Sequence, residues 1–286
     1  MKDFYQSVTD RIVSAIEAGT PPWVRPWSVS DQRPKNAATG RLYRGINSLL
    51  LGLEAQARGY ASGAWLTYRQ AAALNAQVRG GEHGTSVVLY KLHEVDDAKT
   101  EGEKRVIPLL RTFTVFNVAQ IDGLPQPAQP AQPTAGWNSH LEAELLLSAS
   151  GADIRHGAPK AYYSRIMDLI HLPVKHAFKD QGAYYSTALH ETCHWTGHPK
   201  RCNRDLAGRF GTDAYAVEEL IAEMGSAFLC AHCRIDGRLQ HAAYLHSWLQ
   251  VLKSDKRAIF TASAKAQQAA DFLLGSVETE SEKEAA

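Results

Sequence analysis

His190 and His194 stand four residues apart in S-T-A-L-H-E-T-C-H-W-T-G-H, residues 186 to 198. On an α-helix that spacing sets the two imidazoles one above the other on one face, with Glu191 about 100° around from the first. Two neutral imidazoles in this H-E-x-x-H arrangement can hold a zinc ion and leave room for a third protein ligand and a water, whose proton Glu191 can take. Mn2+ or another divalent ion suits the same donors. A core helix with two satisfied histidines is the competing account. Leu189, Cys193 and Trp195 give the segment an apolar side, and Gly197 is expected to end it as a left-handed cap.

A zinc site of this kind needs one more protein ligand. His198 lies beyond the expected helix end, and the three-histidine pattern would need a histidine at position 200, which is Lys200. The segment Y-A-V-E-E-L-I-A-E-M-G-S-A-F-L-C, residues 215 to 230, reads as a helix with carboxylates set among apolar residues. Carboxylates there call for a partner or a metal. Glu219 and Glu223 share one face, with the small residues Ala222 and Ser226 beside them to let this helix approach the first. Glu219 is the expected third ligand and Glu223 the acceptor for a ligand histidine N–H; the reverse assignment stays open. Glu218 is expected to face solvent. His171 and His176 are expected at the surface or behind the ligands.

Several elements must position these groups. Residues 123–136, G-L-P-Q-P-A-Q-P-A-Q-P-T-A-G, read as a semi-rigid polyproline linker. After it, a helix is expected over about 139–150, followed by alternation at 161–164 and a strand from Arg165 to Leu172 ended by Pro173. That strand pair is the expected docking edge for an extended peptide. Before the linker come an amphipathic helix over 2–18, an extended P-P-W-V-R-P-W segment, and a helix from about 48 to 59. The capping box Thr67-x-x-Gln70 then predicts a helix running towards Gly80–Gly81. Period-two patterns at 85–91 and 105–118 predict a β-hairpin, with Pro108 at an edge or bulge.

The first half interleaves aromatic and polar or basic residues: Trp23, Arg25 and Trp27 in the extended segment, Tyr43, Arg44 and Asn47 at a helix mouth, and Trp65, Tyr68 and Arg69 at another. Between residues 25 and 93 nine Lys/Arg face three Asp/Glu, a local excess of six. Base stacking on aromatics at about 1 to 3 kcal/mol per base, with cations tracking the backbone, is how single-stranded nucleic acid is held without sequence preference. Core aromatics with a solvated basic face are the alternative. The net charge of +1 over 286 residues argues against mimicry of DNA by an acidic surface. No apolar run is long enough to span a bilayer and the first ten residues lack signal-peptide features, so a cytoplasmic protein is expected. Cys193, Cys202, Cys230 and Cys233 are expected as free thiols, with no disulfide-linked partner. The last eleven residues hold four Glu and one Lys and are expected to form a disordered acidic tail.

The chain resembles ArdC-type antirestriction proteins of conjugative plasmids, whose N-terminal region is similar to that of plasmid conjugation primases. The resemblance rests on P-W at 26–27, Y-R-G-I-N at 43–47, W-L-T-Y-R-Q at 65–70, V-R-G-G-E-H-G-T at 78–85 and F-T-V-F-N-V-A-Q-I-D-G-L at 113–124. It continues through L-H-E-T-C-H-W-T-G-H-P-K-R at 189–201 and E-E-L-I-A-E-M-G-S-A-F-L at 218–229. Thr192-Cys193 departs from the bulkier aliphatic pair more typical of the motif. The resemblance implies an α+β protein of two domains: an N-terminal α+β single-stranded-DNA-binding domain with a β-hairpin (1–122), and, after the linker, a zincin-like, mainly helical metallopeptidase domain (137–275), with the acidic tail at 276–286. It implies protection of incoming plasmid DNA from host restriction. Glu191 would be the catalytic base, His190, His194 and Glu219 the zinc ligands, and an unidentified protein the substrate, with restriction-system components among the candidates. The rival reading is a DNA-coating protein whose metal site is structural or vestigial.

Overall fold

The computed structural model describes residues 3–19, 21–23, 33–96, 104–124, 140–204, 213–235 and 244–284. Its chain forms two compact units, one of residues 32–43 and 50–129, the other of residues 1–31, 44–49 and 130–286. Sequence segments and compact units therefore differ at the N-terminus, because the first helix packs with the last ones.

The β-rich unit is built on a four-stranded sheet of order β1-β2-β5-β4, from β1 (Lys35–Asn36), β2 (Ala64–Thr67), β4 (Thr85–Asp96) and β5 (Lys104–Asn117). β4 and β5 form the long antiparallel hairpin, in register from Thr85↔Val115 to Asp96↔Lys104. β2 joins β5 only at Val115–Asn117, so Pro108 lies where β5 has β4 alone beside it. The alternation of β2 sends Trp65 and Leu66 to opposite faces. Trp65 packs with Leu51, Val87 and Val115, and Leu66 with Ala71, Ala76, Val78 and Ile121. Between β1 and β2 in sequence runs α2 (Ile46–Arg58). The Thr67–Gln70 capping box is present, but its helix α3 covers only Tyr68–Ala73. Asn75 takes a positive φ of 57° there, and the chain turns into the short pair of β3 (Gln77–Val78) with β6 (Ile121–Asp122). A second capping box follows β5. Asn117, fully buried, accepts from Ala119 N–H and donates through Nδ2 to the Ser62 carbonyl at 2.7 Å, while Gln120 bonds Glu82 and His83. F-N-V-A-Q is thus a buried polar knot that closes the sheet.

The helical unit begins with α1 (Phe4–Glu17), whose Val8, Ile12, Val13 and Ile16 are buried. Tyr5 meets Phe260 edge to face at 4.8 Å, and the Thr9 hydroxyl donates to the Lys256 carbonyl at 2.8 Å. α4 (Leu141–Ala149) leads to a three-stranded sheet of order β7-β9-β8, made of β7 (Asp153–His156), β8 (Tyr162–Ser164) and β9 (Leu169–Leu172). The expected continuous strand from Arg165 is instead a turn followed by β9. Asp168 sits there at φ 49°, held by the Tyr163 hydroxyl at 2.7 Å and by Arg201, which also stacks on Trp195. Among the described residues the unit continues with four helices: α5 (Gln181–Thr196), α6 (Asp213–His232), α7 (Leu245–Ser254) and α8 (Ala258–Glu284). Residues 276–284, expected as a disordered tail, continue α8, because extending an existing helix needs no new nucleus and Glu and Lys favour it. Among the described residues no helix is long and apolar enough to cross a membrane.

Candidate metal centre

α5 is N-capped by Asp180, which accepts from Ala183 N–H at 2.8 Å. From Tyr184 onward nearly every residue of α5 is buried. α6 lies directly against it: the Ser226 hydroxyl donates to the Ser186 carbonyl at 3.0 Å, and a Cβ on Gly225 would stand 2.8 Å from Cys193 Sγ. Ser226 was legible as a contact residue; Gly225 sets the closeness of approach. The close packing carries the α6 carboxylates to the histidine face of α5.

His190, His194 and Glu219 converge, each offering a ligand atom within 4.8 Å of the others. The two Nε2 atoms are 3.1 Å apart, and Glu219 lies 3.6 Å from His190 Nε2 and 3.5 Å from His194 Nε2. The donor set fits a divalent cation: two imidazoles and one carboxylate, all buried or nearly so, leave a coordination position for water or substrate. The Tyr215 hydroxyl bonds Glu219 and sits 3.2 Å from that of Tyr244. Neither tyrosine carries a sequence signal marking it as part of the site.

Glu218 corrects the expectation of a solvated carboxylate. It is buried, its Oε1 lies 3.1 Å from His194 Nδ1, and Arg204 binds both of its oxygens. α6 is enclosed on almost every side, so consecutive glutamates 100° apart are both inside. An ionised carboxylate only accepts, so His194 donates from Nδ1 and turns Nε2 towards the other ligands. The acceptor behind His194 is therefore Glu218. Glu223 is buried one turn further on and lies outside the converging group.

Charge is tightly coupled here. Burial disfavours ionised Glu219, but the bond from His190 and the charge of His194 outweigh it and hold its pKa down at about 2. Burial likewise opposes a charged His194, yet the bond to Glu218 and the charges of Glu219 and Glu191 push its pKa up to about 9. Burial also works against the Glu218 anion, and His194 and Arg204 still keep its pKa below the usual value. Glu191 is itself buried on α5.

Gly197 ends α5 with φ −69°, not as a left-handed cap, because residues 201–204 return to satisfy the last carbonyls. His171 stacks on Tyr162 and His176 is exposed; neither joins the cluster. Cys193, Cys230 and Cys233 are buried thiols outside any disulfide, as expected.

The expected stacking residues divide. Trp65 is 0 % exposed and meets Tyr60 edge to face, so it has no face to offer a base and is corrected to a core residue. Trp23 is likewise buried, against Trp248 at 5.6 Å. Arg25 and Trp27 lie outside the described residues. Tyr43 is half-buried against the Trp65 cluster, and Asn47 is half-buried in the first turn of α2. Arg44 is exposed and ion-paired with Asp271. Tyr68 is 52 % exposed at the start of α3, beside exposed Arg69.

Comparison with known proteins agrees with both halves. Residues 2–116 match the N-terminal domain of anti-restriction factor ArdC, and residues 141–265 match a zincin-like metallopeptidase family. The chain is 45 % identical over 283 residues to the uncharacterized protein y4eC of Sinorhizobium fredii (strain NBRC 101917 / NGR234), covering 95 % of this chain and 91 % of that one. A DNA primase TraC of Escherichia coli is 43 % identical over 294 residues, covering 96 % of this chain, which spans only 27 % of the primase. The crystal structure of the antirestriction protein ArdC from plasmid R388 in its metal-free form superposes with a TM-score of 0.83 at 45 % identity, covering 97 % of this chain and 98 % of that one. Its Mn(II)-bound form gives 0.81 at 44 %, covering 96 % and 98 %. With identity at this level over almost the whole of both chains, the protein belongs to the ArdC antirestriction family.

Proposed function

We propose that the protein binds single-stranded DNA entering by conjugation and carries a peptidase site served by one zinc ion on His190, His194 and Glu219. The observation that supports this most is the convergence of those three donors on two closely packed buried helices, with Glu191 one residue from the first of them. Two imidazoles and a carboxylate suit zinc, and Mn(II), seen in the R388 relative, is compatible with the same set. When bound, the cation supplies Lewis acidity at the scissile carbonyl and makes water easier to deprotonate. Glu191 then takes the proton at its carboxylate and delivers it to the departing amide nitrogen. His194 stays oriented by Glu218, and Glu219 by Tyr215. β8, at the outside of the three-stranded sheet, is the edge that an extended peptide would join. In the β-rich unit, exposed Tyr68 and Arg69 are the pair we assign to DNA. The protein substrate in this reading is unidentified, with restriction-system components among the candidates.

The test is transfer of an unmodified plasmid into a restricting recipient that carries wild type or Glu191→Gln. Loss of protection in the variant, with metal and DNA binding intact, is expected. Equal protection would remove the catalytic assignment and leave DNA coating as the activity.

A further inference from the structure

The last carbonyls of a helix have no partner within it. At the end of α5 residues 201–204 turn back and supply those partners. Cys202 N–H donates to the Thr196 carbonyl at 2.8 Å and Arg204 N–H to that of Gly197 at 2.9 Å. Arg201 Nε reaches the Trp195 carbonyl, and the Arg204 guanidinium reaches that of Cys193, both at 2.6 Å. Arg204 is thereby drawn inside, to 5 % exposure, with Nη1 on the Thr196 hydroxyl at 2.8 Å.

The same guanidinium grips Glu218 with two prongs, Nε to Oε2 at 3.0 Å and Nη2 to Oε1 at 2.8 Å. Oε1 also receives Nδ1–H of His194 at 3.1 Å. A buried ion pair is weak evidence of stability, because desolvation offsets much of its attraction. This pair stands directly behind an imidazole whose other nitrogen faces His190 and Glu219.

We propose that Arg204 and Glu218 are positioning residues for the metal: Glu218 fixes the orientation and Nδ1–H tautomer of His194, and Arg204 fixes Glu218. The inference rests on reading His190, His194 and Glu219 as a metal site. Without Glu218 the His194 ring is free to rotate, or to carry its proton on Nε2, where the ion must bind. Without Arg204 the buried Glu218 carboxylate lacks its balancing charge and the second anchor for its plane. The relay also ties metal affinity to residues 201–204, which hold no ligand.

The experiment strips the full chain with chelator and titrates it with Mn(II), reading free ion by electron paramagnetic resonance. Glu218→Ala should weaken binding about 10- to 100-fold. Arg204→Lys, which keeps the charge but loses the fork, should weaken it about tenfold. Because an unpaired buried charge can unfold the chain, a double variant, Glu218→Leu with Arg204→Met, removes both charges at similar volume. It should fold and still bind about 10- to 100-fold more weakly. In the zinc-loaded protein, long-range proton–nitrogen spectra should show a slowly exchanging His194 Nδ1–H that the double variant loses, an effect that a purely structural pair would not produce. A folded double variant that binds Mn(II) within about threefold of wild type overturns the positioning role alone, since that falls below the usual range for such partners. Wild type that binds no Mn(II) overturns the metal reading as well.

Discussion

Between α5 and α6 five ionisable side chains, His190, Glu191, Glu218, Glu219 and Glu223, are buried within a single helix contact. In the β-rich unit the side chains with most chemical promise behave the other way: Trp65 fills the core and Tyr68, three residues later, stands half exposed. Burial raises the cost of every ionisable group, so a set that stays buried is held by specific partners. Burial of an aromatic needs no such explanation, because it removes apolar surface from water. A buried acid or base near a histidine pair therefore points to chemistry, whereas an aromatic points to function only where it is exposed.

The largest effect is expected where the buried donors meet. Glu219→Ala should abolish tight metal binding, measured by chelator competition, since a catalytic zinc needs three protein donors. Trp65→Ala should cost about 3 to 5 kcal/mol of stability in a denaturant titration while the folded fraction keeps its DNA affinity. Tyr68→Ala should do the reverse: a loss of about 1 to 3 kcal/mol in single-strand binding, with stability within about 0.5 kcal/mol of wild type. If Trp65→Ala weakens DNA binding without destabilising the protein, the division between core and contact aromatics fails.

In the metal-free protein His194 has its pKa raised to about 9, so near neutral pH the incoming ion must displace a proton. Apparent metal affinity should rise by roughly tenfold per pH unit from about pH 6.5 until it levels near pH 9. The same raised pKa gives the metal-free fold a stabilising contribution that is complete below about 6.5 and lost as pH rises through 9. An affinity flat across that range would contradict a charged His194. A smaller effect belongs to the helix contact: Gly225→Ala places a Cβ against Cys193 Sγ and should cost about 1 to 3 kcal/mol, read as a lowered Tm.

What was legible in the sequence follows the range of the interactions involved. H-E-T-C-H needs only one helix to bring its groups together, and Glu219 needs only a second apolar helix. The Thr67–Gln70 box is local too, so it is found, although Asn75 ends its helix earlier than the pattern implied. Glu218 was misplaced because a helix buried nearly all around has no solvent face to receive it. Arg204 left no local trace; only the folded chain shows it returning, with Arg201, beneath the end of α5. The fate of Trp65 depended on β2 lying inside a sheet covered on both faces, a tertiary fact that the aromatic interleaving does not encode. Composition alone points to disorder in the acidic tail and does not register that a helix is already running into it.

Metal content per chain separates Glu219 from Glu223 as the third donor. Wild type, Glu219→Ala and Glu223→Ala, purified side by side and analysed for bound metal per chain, should give one ion, none and one ion respectively. Loss of the ion from Glu223→Ala with retention in Glu219→Ala would contradict the account, because it would move the third ligand one turn along α6 from where His190 and His194 converge.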